Sequence, residues 1–188
     1  MRLTLTILLL FALQTHAAEV GLKSTFGADD IIFSGQIMTG DATKVGDLIK
    51  KISGDGKVHR FIIHSPGGNV TEAIAIGDLL RQDRFSVYEP SGLSCISACV
   101  FAIAGGVQRV LLGKVGLHRP YLPNNFESTP LVSLVQADAK KSMSIYMEKM
   151  GVKTSIVDAM YAIESPSEIR YLGAQEMKAY RLSTEDEM

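Results

Sequence analysis

Short apolar runs alternate along this chain with stretches of helical spacing, a rhythm that predicts strands and helices in turn. The run 61–64 reads as a strand, and apolar positions across 71–80 recur with helical spacing, so Ser65-Pro66-Gly67-Gly68 between them reads as a strand-to-helix turn. The same order then repeats. Residues 85–88 read as a strand, Pro90-Ser91-Gly92 breaks it, and 98–104 is a small-residue apolar helix ending at Gly105-Gly106. A strand over 107–112 follows, and 115–117 begins another that Pro120 ends. Beyond it, 120–130 with Asn124-Asn125 reads as a loop into a long helix over 131–150, whose apolar stripe is broken. The sequence holds no internal repeat and no low-complexity segment.

Three of these junctions carry residue types suited to chemistry. Two glycines in a strand-to-helix turn permit positive φ and leave a bare N–H near a helix N-terminus, where a developing oxyanion is well held. An ordinary tight turn has the same composition. Ser97 stands where the next helix begins, either as an N-cap or as a nucleophile with the Ala98 N–H beside it as a second oxyanion donor. That setting follows the logic of a nucleophile elbow, although Gly-x-Ser-x-Gly itself is absent. His118 ends a strand beside Pro120 and reads either as the base that activates Ser97 or as a packed structural residue. His64 directly precedes the glycine turn, and His16 and His59 have no partner motif. No pair of His or Cys residues has the spacing of a zinc site, which argues against metal catalysis, and no cofactor is implied.

With these motifs in hand, nearly the whole chain after residue 18 resembles the proteolytic subunit of the Clp protease, within the Clp-protease and crotonase superfamily. Residues 31–37 look like that family's first core strand, and Asn69-Val70-Thr71 with Ala75-Ile76-Gly77-Asp78 continues the glycine turn as the family does. Ser97 falls on the nucleophile and His118 with Pro120 on the base segment, while Tyr171-Leu172-Gly173-Ala174-Gln175-Glu176 is similar to the closing segment. The resemblance implies an α/β fold built as a spiral of strand-strand-helix units. It also implies a serine peptidase in which Gly68 and Ala98 supply the oxyanion hole. In the family the helix after the base segment joins two rings, so the helix over 131–150 is a candidate contact for a homo-oligomer or a plain core helix.

One departure bears on activity. The family's third catalytic residue is an aspartate, and by spacing Ile169 stands there; Glu168 is the nearest carboxylate and Glu164 the next. Glu168 is therefore the candidate third member, against the reading of a solvated surface glutamate, and without such a member the site is a Ser-His dyad or a silent one. A lysine base, as in related signal peptide peptidases of this fold, would come from Lys140, Lys141 or Lys149. Such a base has to be desolvated to be neutral near pH 7, which favours His118.

The first residues change the compartment. Arg2, the apolar run 3–13 and the small-residue stretch Thr15-His16-Ala17-Ala18 describe a secretory signal peptide over 1–18, leaving a Clp-protease-like domain over 19–188 and a periplasmic or secreted protein. An uncleaved anchor is the alternative. Export would let Cys95 and Cys99, the only cysteines, pair as a disulfide around Ser97, provided Cys95 lies outside the helix; two buried free thiols are the other reading. A formal net charge of −1 with scattered Lys and Arg suggests no nucleic-acid partner. The Clp unfoldases use ATP, which the periplasm lacks, so no ATP-dependent unfoldase is expected and substrates would be flexible peptides or unfolded segments. An acyl-coenzyme A enzyme of crotonase type and a catalytically silent binding or scaffold module remain as other readings. The acidic end Glu185-Asp186-Glu187 reads as a solvated tail.

Overall fold

The strands anticipated from the apolar runs assemble into two sheets. The computed structural model describes residues 17–25, 27–52, 54, 58–120, 130–165 and 167–184. The expected leader apart from Ala17 and Ala18, His16 within it, residues 121–129, expected as a loop, and the acidic stretch at 185–188 lie outside the described residues.

The first sheet is built from β1 (Glu19–Thr25), β2 (Ala28–Ser34), β3 (Val58–His64), β4 (Ser86–Glu89) and β6 (Arg109–Leu111), in the order β1-β2-β3-β4-β6. Only the β1–β2 pair is antiparallel, so every later step needs a crossover, and helices supply it. These are α1 (Asp41–Ile52) between β2 and β3, α2 (Val70–Gln82) between β3 and β4, and α3 (Cys99–Ala104) between β4 and β6. The second sheet is short: β5 (Ser94–Ile96) runs parallel to β7 (Lys114–His118), which pairs antiparallel with β8 (Ile169–Tyr171). In chain order, a strand of the first sheet, a strand of the second and a helix follow one another twice, as β4-β5-α3 and β6-β7 then α4 (Pro130–Lys149). The two sheets meet at Ser65, just past β3, which bridges to Cys95 of β5. α5 (Ser155–Tyr161) and α6 (Ala174–Ala179) flank β8 in the chain.

The chain is thus an α/β protein with a mixed sheet and six helices among its described residues. Alternation decides which side of β3 is covered: Phe61 and Ile63 are fully buried while Val58 and Arg60 are exposed. The aromatic core is Phe33, Phe61, Phe85 and Phe101. Helices α2 and α3 approach closely because a Cβ on Gly105 would overlap the backbone of Gly77. Above them, the buried Tyr146 hydroxyl of α4 donates to the Phe101 carbonyl at 2.8 Å, and burial raises its phenol well above the usual range.

Arg109 and Glu89 are among the charged groups buried in the fold, and the sequence showed no reason for either. Arg109 donates to the carbonyls of Leu182 (2.7 Å), Arg181 (2.8 Å), Gly106 (2.7 Å) and, more weakly, Ala104 (3.4 Å). It ties the end of the chain to the C-terminal end of α3, where a cation also complements the helix dipole. Burial, with Arg81 nearby, lowers its guanidinium to about 10.

Glu89 is fully buried at the end of β4 and accepts the Gly113 N–H at 2.6 Å. Desolvation outweighs its backbone hydrogen bonds and pushes the carboxyl up from 4.5 to about 7. A folded-state value above the unfolded one means that the native chain holds the extra proton. The stability from Glu89 is therefore full below about pH 4.5 and is lost as pH rises through about 7, by at most about 3 kcal/mol. Glu89→Gln keeps an acceptor for Gly113 without the charge. Denaturant titrations of both chains from pH 4.5 to 8 should show the wild type losing stability relative to the variant across that window. A constant difference would contradict the buried-acid reading.

Several boundaries differ from the sequence reading. The first core strand spans 28–34, leaving Gln36 and Ile37 in isolated bridges to Ala17 and Gly68. The strand anticipated over 107–112 is confined to 109–111. Most relevant to the site, α3 starts at Cys99 with Ala98 at its N-cap, so Ser97 does not cap the helix.

Candidate active site

Strand β5 delivers the chain to Ser97, and the backbone there leaves ordinary geometry. Ser97 has φ 58°, in the left-handed region that serine seldom occupies. Such conformations persist only when surrounding contacts over-determine them, and they concentrate at active-site turns. Three restraints act here. The Ser97 N–H donates to the Gly116 carbonyl of β7 at 2.9 Å, its carbonyl accepts the Val100 N–H at 3.1 Å, and a disulfide joins Cys95 to Cys99 around it. The disulfide settles the choice between bonded and free cysteines. Its Cα–Cα distance of 5.3 Å is met because Cys95 lies in β5 while Cys99 opens α3.

In this conformation Ser97 Oγ stands 3.5 Å from Nδ1 of His118 at the end of β7. The separation is long for a hydrogen bond, as is usual before substrate tightens such a site. Both side chains are half-buried, open enough to meet a substrate.

The glycine turn packs directly on this junction. A Cβ at Gly67 would stand 2.6 Å from the Ile96 oxygen, 2.8 Å from Ser97 Cβ and 2.9 Å from the Ala98 nitrogen, so only glycine allows the approach. Gly67 and Gly68 take φ 95° and 136°. Among the described residues, neither the Gly68 N–H nor the Ala98 N–H donates a hydrogen bond. Ala98 is buried, and a buried N–H without an acceptor is rare enough to require a reason. The Ala98 N–H next to Ser97, with the Gly68 N–H in the turn whose Gly67 packs on that junction, can receive an anion formed on a carbonyl attacked by Oγ.

The candidate third member lies at the surface. Glu168 and Glu164 are both exposed, and directly across the β7–β8 ladder from His118 stands Ile169. The lysines are engaged elsewhere. Lys140 pairs with Asp158 at 2.7 Å and Lys149 with Asp78 at 2.7 Å, while Lys141 is exposed. His64 accepts the Ser94 N–H at 3.1 Å and so braces β5, and His59 stacks on Phe85.

Sequence reasoning passed over Ser65, which is completely buried at the crossing of the two sheets. The signal was its place immediately before Pro66-Gly67-Gly68, where a hydroxyl can hold the turn. No group of three or more His, Cys, Asp or Glu that could hold a metal is present among the described residues. No protein-family model and no curated protein matches the chain.

Proposed function

We propose that this chain is a serine hydrolase of the Clp-protease and crotonase type that cleaves peptide bonds in flexible peptides or unfolded segments. The observation that carries the proposal is the junction of Ser97 Oγ with His118 Nδ1 at 3.5 Å beside the two uncommitted N–H groups of Gly68 and Ala98. The repeated order of strand, second-sheet strand and helix supports the spiral architecture.

His118 takes the Ser97 proton as Oγ bonds to the substrate carbonyl carbon, and the negative charge moves to the carbonyl oxygen between the two N–H donors. Collapse breaks the C–N bond, and His118 returns the proton to the leaving amine. Water then attacks the acyl-enzyme by the same route, releasing the acid and restoring Ser97. The site uses no cofactor. The buried disulfide supports an oxidising compartment, as the signal peptide expected over 1–18 would imply.

A fluorophosphonate probe tests the proposal: the Ser97 oxygen bonds to phosphorus, fluoride leaves, and the proton passes to His118. Intact mass and peptide mapping should place the adduct on Ser97 and find none in Ser97→Ala. A folded wild-type chain that stays unlabelled would sink the hydrolase and leave a silent binding module. Turnover of an acyl-coenzyme A thioester without labelling would point to the crotonase alternative.

A further inference from the structure

Ser65 takes no part in the steps above, yet it is a polar side chain with no exposed surface at a bridge between the two sheets. Its backbone and its side chain hold different halves of the site. The Ser65 N–H donates to the Ser94 carbonyl at 2.9 Å, and the Ser65 carbonyl accepts the Ile96 N–H at 3.0 Å. These bonds fix β5, and β5 ends at Ser97 and the Ala98 donor. Meanwhile Ser65 Oγ accepts the Gly67 N–H at 3.0 Å, with the Gly67 carbonyl 3.5 Å from the same oxygen.

The consequence for Gly68 is direct. Gly67 has an N–H that would otherwise point unpartnered into a buried turn, and satisfying it with Ser65 Oγ fixes the peptide that precedes the Gly68 donor. The other side of the turn is held independently, because the Gly67 carbonyl accepts the Ile37 N–H at 2.8 Å and the Asn69 N–H donates to the Ile37 carbonyl at 2.9 Å. Both brackets leave the Gly68 N–H itself uncommitted. We infer that Ser65 is the positioning residue of the oxyanion hole: its backbone registers the Ser97–Ala98 half, and its hydroxyl registers the Gly68 half against it. The inference rests on the hydrolase reading, since an oxyanion hole has meaning only there.

The test uses the full chain with Ser65→Ala, which removes the acceptor, and Ser65→Cys, which keeps nearly the same volume with a much weaker acceptor. Fluorophosphonate labelling of Ser97 is followed over a range of probe concentrations, together with thermal melting. Loss of a whole oxyanion donor slows catalysis by about a hundred- to a thousandfold, and a donor left in place but misaimed should lose about ten- to a hundredfold. The expected result is therefore a limiting labelling rate that falls in the order wild type, Cys, Ala, with half-saturation by the probe unchanged. The pH profile should keep its midpoint, because His118 is untouched. A wild-type chain that labels, with both variants labelling equally fast, overturns the role of Ser65 and leaves the hydrolase standing. A wild-type chain that never labels overturns both. If Ser65→Ala does not fold, Ser65→Cys alone decides: a limiting rate equal to wild type refutes the assignment.

Discussion

Replacing His118 with alanine is expected to slow fluorophosphonate labelling of Ser97 by about a thousandfold while leaving the protein folded. A serine hydroxyl is a weak nucleophile until its proton has somewhere to go. Among the described residues, the lysines that could have substituted are paired with Asp158 and Asp78 or exposed. The two backbone donors survive the substitution, so the residual rate reports what the oxyanion hole contributes alone. His118 is half-buried at a strand end, so its truncation should lower the melting temperature by only a few degrees. Labelling within about threefold of wild type, in a chain that melts normally, would remove His118 from the mechanism.

The second large effect concerns the disulfide. Cys95→Ser combined with Cys99→Ser should cut Ser97 labelling by about a hundredfold, because a displacement of about 1 Å at a reacting atom is enough for such a loss. Stability should fall much less, by about 2 kcal/mol, since so small a closed loop restricts the unfolded chain only modestly. The separation between the two readouts is the point: the bond acts on the geometry of a left-handed Ser97 more than on the fold. Both cysteines are inaccessible in the native chain, so the double variant is the direct arm and reductant alone is expected to act slowly. Rates that match wild type in the double variant would show that the remaining contacts hold Ser97 unaided.

How much of this was legible in the sequence varies with the distance over which each feature is determined. The β3 strand, the glycine turn and α2 were readable because an apolar run, two glycines and a helical stripe are local signals. The pairing of Ser97 with His118 was readable only through family resemblance, since nothing local links residues 21 apart in sequence. The three-residue strands β5 and β8 are too short to show a period. That Ser97 stands outside the helix, the N-cap alternative being wrong, was hidden because its left-handed backbone is imposed by Cys95, Cys99 and Gly116, and serine as a residue type gives no hint of it. The exposure of Glu168 was hidden for a related reason. Proximity in sequence to the family's aspartate position says nothing about burial, and in the fold the residue facing His118 is Ile169. Burial of Glu89 and Arg109 was invisible because it depends on partners 24 and 72 to 75 residues away.

The clamp made by Arg109 also sets an order of events during biosynthesis. Its guanidinium grips the carbonyls at the end of α3, the helix that begins two residues after Ser97, and is itself held by the carbonyls of Arg181 and Leu182. Those partners lie 72 and 73 residues beyond Arg109, so they emerge from synthesis well after α3. Until then a buried cation lacks half of its acceptors, and α3 is anchored at one end only. The turn that carries Ser97, just ahead of α3, therefore gains its last brace only after residues 181 and 182 have been made.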